Sequence, residues 1–119
     1  MSAKDIIQDF YKSDVLLEPE SVSDFLHPDV ELEWHSTKGF LKLNKTEIIN
    51  ISRELSKAYV RSISRITHIV EEGNLVSVRY SHFVNTIENP SEEMLLAHFM
   101  IIWELKENKL FKGYQMSQL

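Results

Sequence analysis

The chain has no cysteine, only three glycines and three prolines, and no apolar run of membrane-spanning length. Without thiols there is no disulfide, no thiolate nucleophile and no thiolate metal site. A membrane helix takes roughly 20 apolar residues in succession, and charges interrupt every stretch of that size. Scarce glycine removes the loops that depend on it. There is no Rossmann glycine fingerprint, no Gly-Lys phosphate loop and no Gly-x-Ser-x-Gly elbow, and the His-Glu-x-x-His zinc motif is also missing. Positive charge is short as well: 13 basic residues stand against 18 acidic ones, for a net charge of -5. Such a chain is repelled by phosphate backbones, so a nucleic-acid partner is not expected. Lys4, Asp5 and Asp9 fall where a signal peptide would need an apolar run, so the expectation is a cytoplasmic protein.

What is present suits one globular domain spanning 1–119: 43% of the residues are hydrophobic and 26% charged. The first half reads as helices. Ser2 and Asp5 have capping-box spacing, and Ile6, Ile7, Phe10 and Tyr11 follow as one apolar stripe. Pro19 opens a second short helix with Val22, Phe25 and Leu26 inward, ending before Pro28. Asn44 and Glu47 make a third helix start, followed by Ile48, Ile51, Leu55 and Ala58 on one face. Between them, residues 30–35 alternate as a half-buried strand, Lys38-Gly39 turns, and residues 40–43 pair back.

The second half reads as strands. Residues 60–70 are rich in Ile, Val, Thr and Ser, and Glu71-Glu72-Gly73-Asn74 is a hairpin turn. Residues 75–87 alternate, Asn89-Pro90-Ser91 turns, and 94–105 form a long apolar strand. A turn at 106–109 leads into a last strand over 110–116. Helices first and a meander afterwards make an α+β domain, with the helices on one face of a curved, mostly antiparallel sheet.

This order of motifs resembles the nuclear transport factor 2-like superfamily of cystatin-like cone folds, which includes SnoaL-like cyclases and ketosteroid isomerases. The stretches carrying the resemblance are Phe25-Leu26-His27-Pro28-Asp29-Val30, Asn44-Lys45-Thr46-Glu47-Ile48, Glu72-Gly73-Asn74-Leu75-Val76, Ile102-Trp103-Glu104-Leu105 and Lys109-Leu110. Asn44 stands where relatives often have glycine, and it shares glycine's tolerance of the left-handed conformation.

The resemblance implies a cavity between the first helices and the concave sheet face. In family isomerases an aspartate base sits near the end of the first strand, and the matching position here is Trp34, whose indole has no basic lone pair. The protonated aspartate of their penultimate strand matches Ile101 or a neighbour, which is not an acid. Their oxyanion-hole tyrosine has a counterpart in Tyr11.

Val76, Val78, Tyr80, His82 and Val84 share one strand face, so Tyr80 and His82 are candidate polar tips in the cavity. The facing strand adds either Arg65 and Thr67 or Ser64 and His68, depending on register. The expected pocket comprises Tyr11, Trp34, Tyr80, His82, Phe99, Trp103 and Tyr114. Glu31, Glu33 and His35 share the polar side of their strand and read as solvated, so neither a metal nor a cofactor is expected.

Two functions compete. One is a binding domain holding a small apolar molecule without chemistry. The other is an acid–base enzyme with His82 as base and Tyr11 or Tyr80 as donor. An adaptor role is a third, without a partner surface visible in the sequence. Along 94–105, one phase (Leu95, Ala97, Phe99, Ile101, Trp103, Leu105) is set for the helices to cover. The other (Leu96, His98, Met100, Ile102) is nearly as apolar and uncovered, which predicts a homodimer through the open sheet face.

Overall fold

The computed structural model describes residues 2–119. Three helices precede or interrupt the first strands: α1 (Ala3–Phe10), α2 (Pro19–Phe25) and α3 (Lys45–Ala58), with a short 3-10 turn at Val15–Leu17. Six strands follow the order β1 (Leu26–Ser36), β2 (Gly39–Leu43), β3 (Tyr59–Glu72), β4 (Leu75–Thr86), β5 (Glu93–Lys106) and β6 (Lys109–Gln118). They form one open sheet ordered β2-β1-β6-β5-β4-β3, in which, among the described residues, the β1–β6 pair alone is parallel. The fold is α+β, with the helices on the concave face. No helix among the described residues is long and apolar enough to cross a membrane.

The helix starts follow their capping residues. Ser2 Oγ accepts from Asp5 N–H while Asp5 accepts from Ser2 N–H, and Asn44 and Glu47 do the same at α3. Each such cap is worth about 1 kcal/mol. Asn44 is extended, with φ -93°, so it works through its side chain and makes no use of left-handed tolerance. Helix α2 ends at Phe25 and β1 begins at once, with Pro28 inside the strand. Proline has no N–H to give, and the ladder to β6 is interrupted between Leu26 and Glu31.

Two short turns close the long hairpins. Gly73, at φ 58°, joins β3 to β4. Glu107 and Asn108 join β5 to β6 with φ 56° and 61°, the pair of left-handed residues that a two-residue hairpin turn requires. Bulges in β3 after Ile66 and in β5 opposite His82/Phe83 bend the sheet around the helices.

The second bulge corrects the phase read from sequence. Leu95 pairs with Phe83 and is exposed, while Leu96 turns toward Trp34, Ala97 and Phe99. The unbroken alternation holds only from Ala97 to Leu105. The core gathers Ile7, Phe10 and Tyr11 of α1, Val22 and Leu26, and the inward residues of β1, β4, β5 and β6. Ala58, expected on the inner face of α3, is exposed at the helix end.

Candidate functional site

Between α1, α3 and the sheet lies a cavity of about 100 Å³. Helix α1 brings Phe10 and Tyr11, α3 brings Ile48, Ile51 and Leu55, and the strands supply Leu32, Trp34, Tyr80, His82, Phe99, Trp103 and Gln115. Of the expected pocket residues, Tyr11, Trp34, Tyr80, His82, Phe99 and Trp103 come together here. Tyr114 does not. It points to the outer face, where it pairs with Ile102 and is 45% exposed.

The misplacement has a physical reason. Polar Gln115 and Ser117 occupy the inner phase of β6, while Tyr114 and Met116 occupy the outer one. A rule that sends the apolar phase inward inverts the strand. A polar residue on an otherwise buried phase is the sequence signal of a cavity wall, and Gln115, absent from the expected pocket, carries it.

The register of the β3–β4 hairpin resolves the two sets left open by sequence, and neither survives whole. Ser64 faces His82, but the bulge after Ile66 puts His68 opposite Arg79. The residue that reaches the imidazole is Ser62, whose Oγ lies 2.6 Å from His82 Nε2 in a buried contact. Ser62 is itself held from outside: its N–H donates to Asp14 Oδ1 at 2.9 Å, and its carbonyl accepts from Asp14 N–H at 2.8 Å. Asp14 sits at φ 70°, a left-handed conformation that lets one residue make both contacts. The segment after it is anchored to α3, since Ser52 Oγ–H donates to the Leu16 carbonyl at 2.7 Å.

Tyr11 caps the end of α1, and its hydroxyl oxygen accepts from Trp103 Nε1–H at 2.9 Å. Tyr80 stacks on Phe99 with ring centroids 4.9 Å apart and planes 6° from parallel. Burial pushes the Tyr11 hydroxyl up to about 12 and raises Tyr80 as well, so both stay protonated. Burial pulls the His82 imidazole down to about 4, so it is neutral at pH 7. His82 Nδ1 and the Gln115 amide have no hydrogen-bond partner among the described residues. No buried polar side-chain atom there is orphaned, so both groups keep accessible surface in the cavity. Among the described residues, the lining contains no carboxylate, lysine or arginine.

Trp34 is half-buried and donates its indole N–H to Ser117 Oγ at 2.8 Å. Together with Phe99 it is a wall common to the cavity and to a neighbouring 300 Å³ cleft under the β1–β2 turn, where Leu96 and Leu119 also lie. On the opposite face of the sheet, Glu31 is paired with Lys42 and Lys112, each at 3.3 Å. Those two ammonium groups hold its carboxyl below the usual range. Glu33 and His35 lie beside it on the same solvent side.

No protein-family model matches the chain, and no curated protein matches it in sequence. The fold has clear counterparts among solved structures. IdmH of Streptomyces antibioticus, a candidate polyketide cyclase, superposes with TM-score 0.77 at 12% identity, over 98% of this chain and 92% of its own. An LEH-like epoxide hydrolase from M. tuberculosis gives 0.73 at 13% identity, over 97% and 81%. A protein with a ketosteroid isomerase-like fold from Catenulispora acidiphila, crystallised with trimethylamine, gives 0.69 at 9%, over 92% and 82%.

Proposed function

We propose that this nuclear transport factor 2-like fold serves to bind a small, largely apolar molecule between α1, α3 and the sheet. The observation that carries the reading is the wall itself. Aromatic and aliphatic side chains surround a few polar tips, two of which, His82 Nδ1 and the Gln115 amide, have no partner among the described residues. Binding sites for small molecules have this make-up. The volume of about 100 Å³ suits a compact molecule, and displacement of Trp34 would add the adjoining cleft. Titration with benzene, followed by NMR, tests the proposal. Shifts centred on Tyr80, His82, Phe99 and Gln115 support it, and an unchanged spectrum at saturating benzene rejects it.

Two of the similar structures carry enzyme names, and acid–base catalysis with His82 as base and Tyr11 or Tyr80 as donor is the alternative. Binding without chemistry is preferred here. An imidazole with its pKa lowered to about 4 is a weak base, and no carboxylate in the lining assists it.

We also propose a homodimer through the outer face of β5 and β6. Met100, Ile102, Tyr114 and Met116 are exposed together there, with His98 alongside; Met100 is 60% exposed and Met116 65%. Contiguous apolar exposure of this kind marks interfaces. Leu96, turned inward by the bulge, leaves the expected set. A cytoplasmic location belongs to the same proposal and rests on the sequence alone.

A further inference from the structure

We propose that Ser62 locks His82 as the Nδ1–H tautomer, so that the cavity meets its occupant with hydrogen-bond donors and selects an uncharged molecule bearing an acceptor, such as a ketone. The inference rests on the binding reading above and names the ligand class for that site.

The protons available at this contact fix the tautomer. Among the described residues Ser62 Oγ has one hydrogen-bond partner, His82 Nε2 at 2.6 Å, and it is sealed in the core at 2% exposure. A serine hydroxyl carries one proton and needs an acceptor for it when buried. If Nε2 carried the ring proton, the Ser62 proton would point at nothing. The arrangement that leaves no donor orphaned has Ser62 Oγ–H donating to Nε2. A neutral imidazole then carries its single proton on Nδ1, the nitrogen without a protein partner.

The same count applies across the cavity. Trp103 can only donate, and it donates to the Tyr11 oxygen. Tyr11 and Tyr80 bring two protons, and any hydrogen bond between the two phenols uses one of them. One O–H therefore remains without an acceptor among the described residues. Gln115 offers both a donor and an acceptor and suits either kind of ligand.

A ligand whose polar atom is an acceptor satisfies these donors. An alkylammonium ion does not, since it brings more donors and there is no carboxylate to meet it. A carboxylate anion would accept, but no lysine or arginine in the lining offsets its burial. An uncharged carbonyl compound meets both conditions. Ser62 acts here as a positioning residue. Its clamp to Asp14 runs through its own backbone, so exchange of the side chain leaves that clamp in place.

Two measurements on the full chain test the proposal. Long-range ¹H–¹⁵N correlation at pH 7 identifies the protonated nitrogen of His82. Nδ1–H is expected in the native chain and in Ser62→Thr, with a move toward Nε2–H in Ser62→Ala. Native His82 protonated at Nε2 overturns the assignment, as does an unchanged pattern in Ser62→Ala.

The second measurement compares cyclopentanone with methylenecyclopentane, which share a shape and differ in the acceptor. The ketone should bind about three- to tenfold more tightly, and Ser62→Ala should reduce that preference. Equal binding of both overturns the donor assignment while leaving the pocket reading intact. Binding of neither overturns the pocket reading and the ligand class together, and the ring-nitrogen spectrum still decides the tautomer.

Discussion

Tyr11 at the end of α1 and Trp103 on β5 are joined by a buried 2.9 Å hydrogen bond across the helix–sheet boundary. The bond ties the floor of the cavity to its roof, and the Trp103 indole N–H would be orphaned by loss of the Tyr11 oxygen. Tyr11→Phe leaves an indole N–H buried with no acceptor and should cost about 1–3 kcal/mol in denaturant melts. The double variant with Trp103→Phe should be less damaging than the two single losses added together, because the bond is lost only once. Strict additivity would show that the pair does not couple helix to sheet.

Stability should fall with acid through His82. Its folded value of about 4 lies below the ordinary 6.5. Between those limits the unfolded chain binds a proton that the folded chain refuses, so folding weakens as pH drops from 6.5 toward 4. The full loss is about 3 kcal/mol, and above pH 6.5 the group contributes no pH dependence. Urea melts of the native chain and His82→Gln at pH 7, 5.5 and 4.5 isolate this component. The stability of the native chain relative to the variant should decline with acid. A constant difference contradicts the assignment.

Gly113 has no side chain because two neighbours occupy the space. A Cβ there would lie 2.7 Å from Leu32 Cδ1 and 2.7 Å from Trp103 Cζ3. The leucine methyl can rotate away, but the indole is held by Tyr11. Gly113→Ala should therefore cost about 1–3 kcal/mol and shift the Trp103 indole N–H resonance. A neutral melt with an unmoved resonance would contradict the tight packing.

Trp34 divides two spaces. Trp34→Ala should join the 100 Å³ cavity to the 300 Å³ cleft and admit molecules that the native chain refuses. Naphthalene is a suitable probe, and a thermal shift confined to the variant is the expected result. Equal behaviour of the two proteins would show that Trp34 is not the dividing wall.

Met100→Asp tests the dimer. The native chain should scatter light with twice the monomer mass at micromolar concentration, and the variant should move toward monomer or aggregate, because an unpaired carboxylate resists burial. A native chain already monomeric at that concentration rejects the interface.

The α1 and α3 starts, the alternation of β1 and β4, and both two-residue turns were legible in the chain, because each depends on residues within a few positions of one another. Ser2 with Asp5 and Asn44 with Glu47 are three apart, and Val76 to Val84 need only alternate. The inward group on β4, including Tyr80 and His82, follows from that alternation. Such patterns are local energies, and they are written locally.

The partners of those groups were decided by tertiary structure alone. Whether His82 lies across from Ser64 or from Arg65 turns on a single bulge after Ile66, and a one-residue slip reverses every side chain beyond it. The bulge in β5 likewise exchanges Leu95 with Leu96, and the inner phase of β6 is polar because it faces a cavity. Local sequence determined which residues form the helices and strands of this protein. Contacts between residues 20 to 92 positions apart determined how those elements make a site, because hydrogen-bond registry across a sheet is settled by the packing of the whole fold.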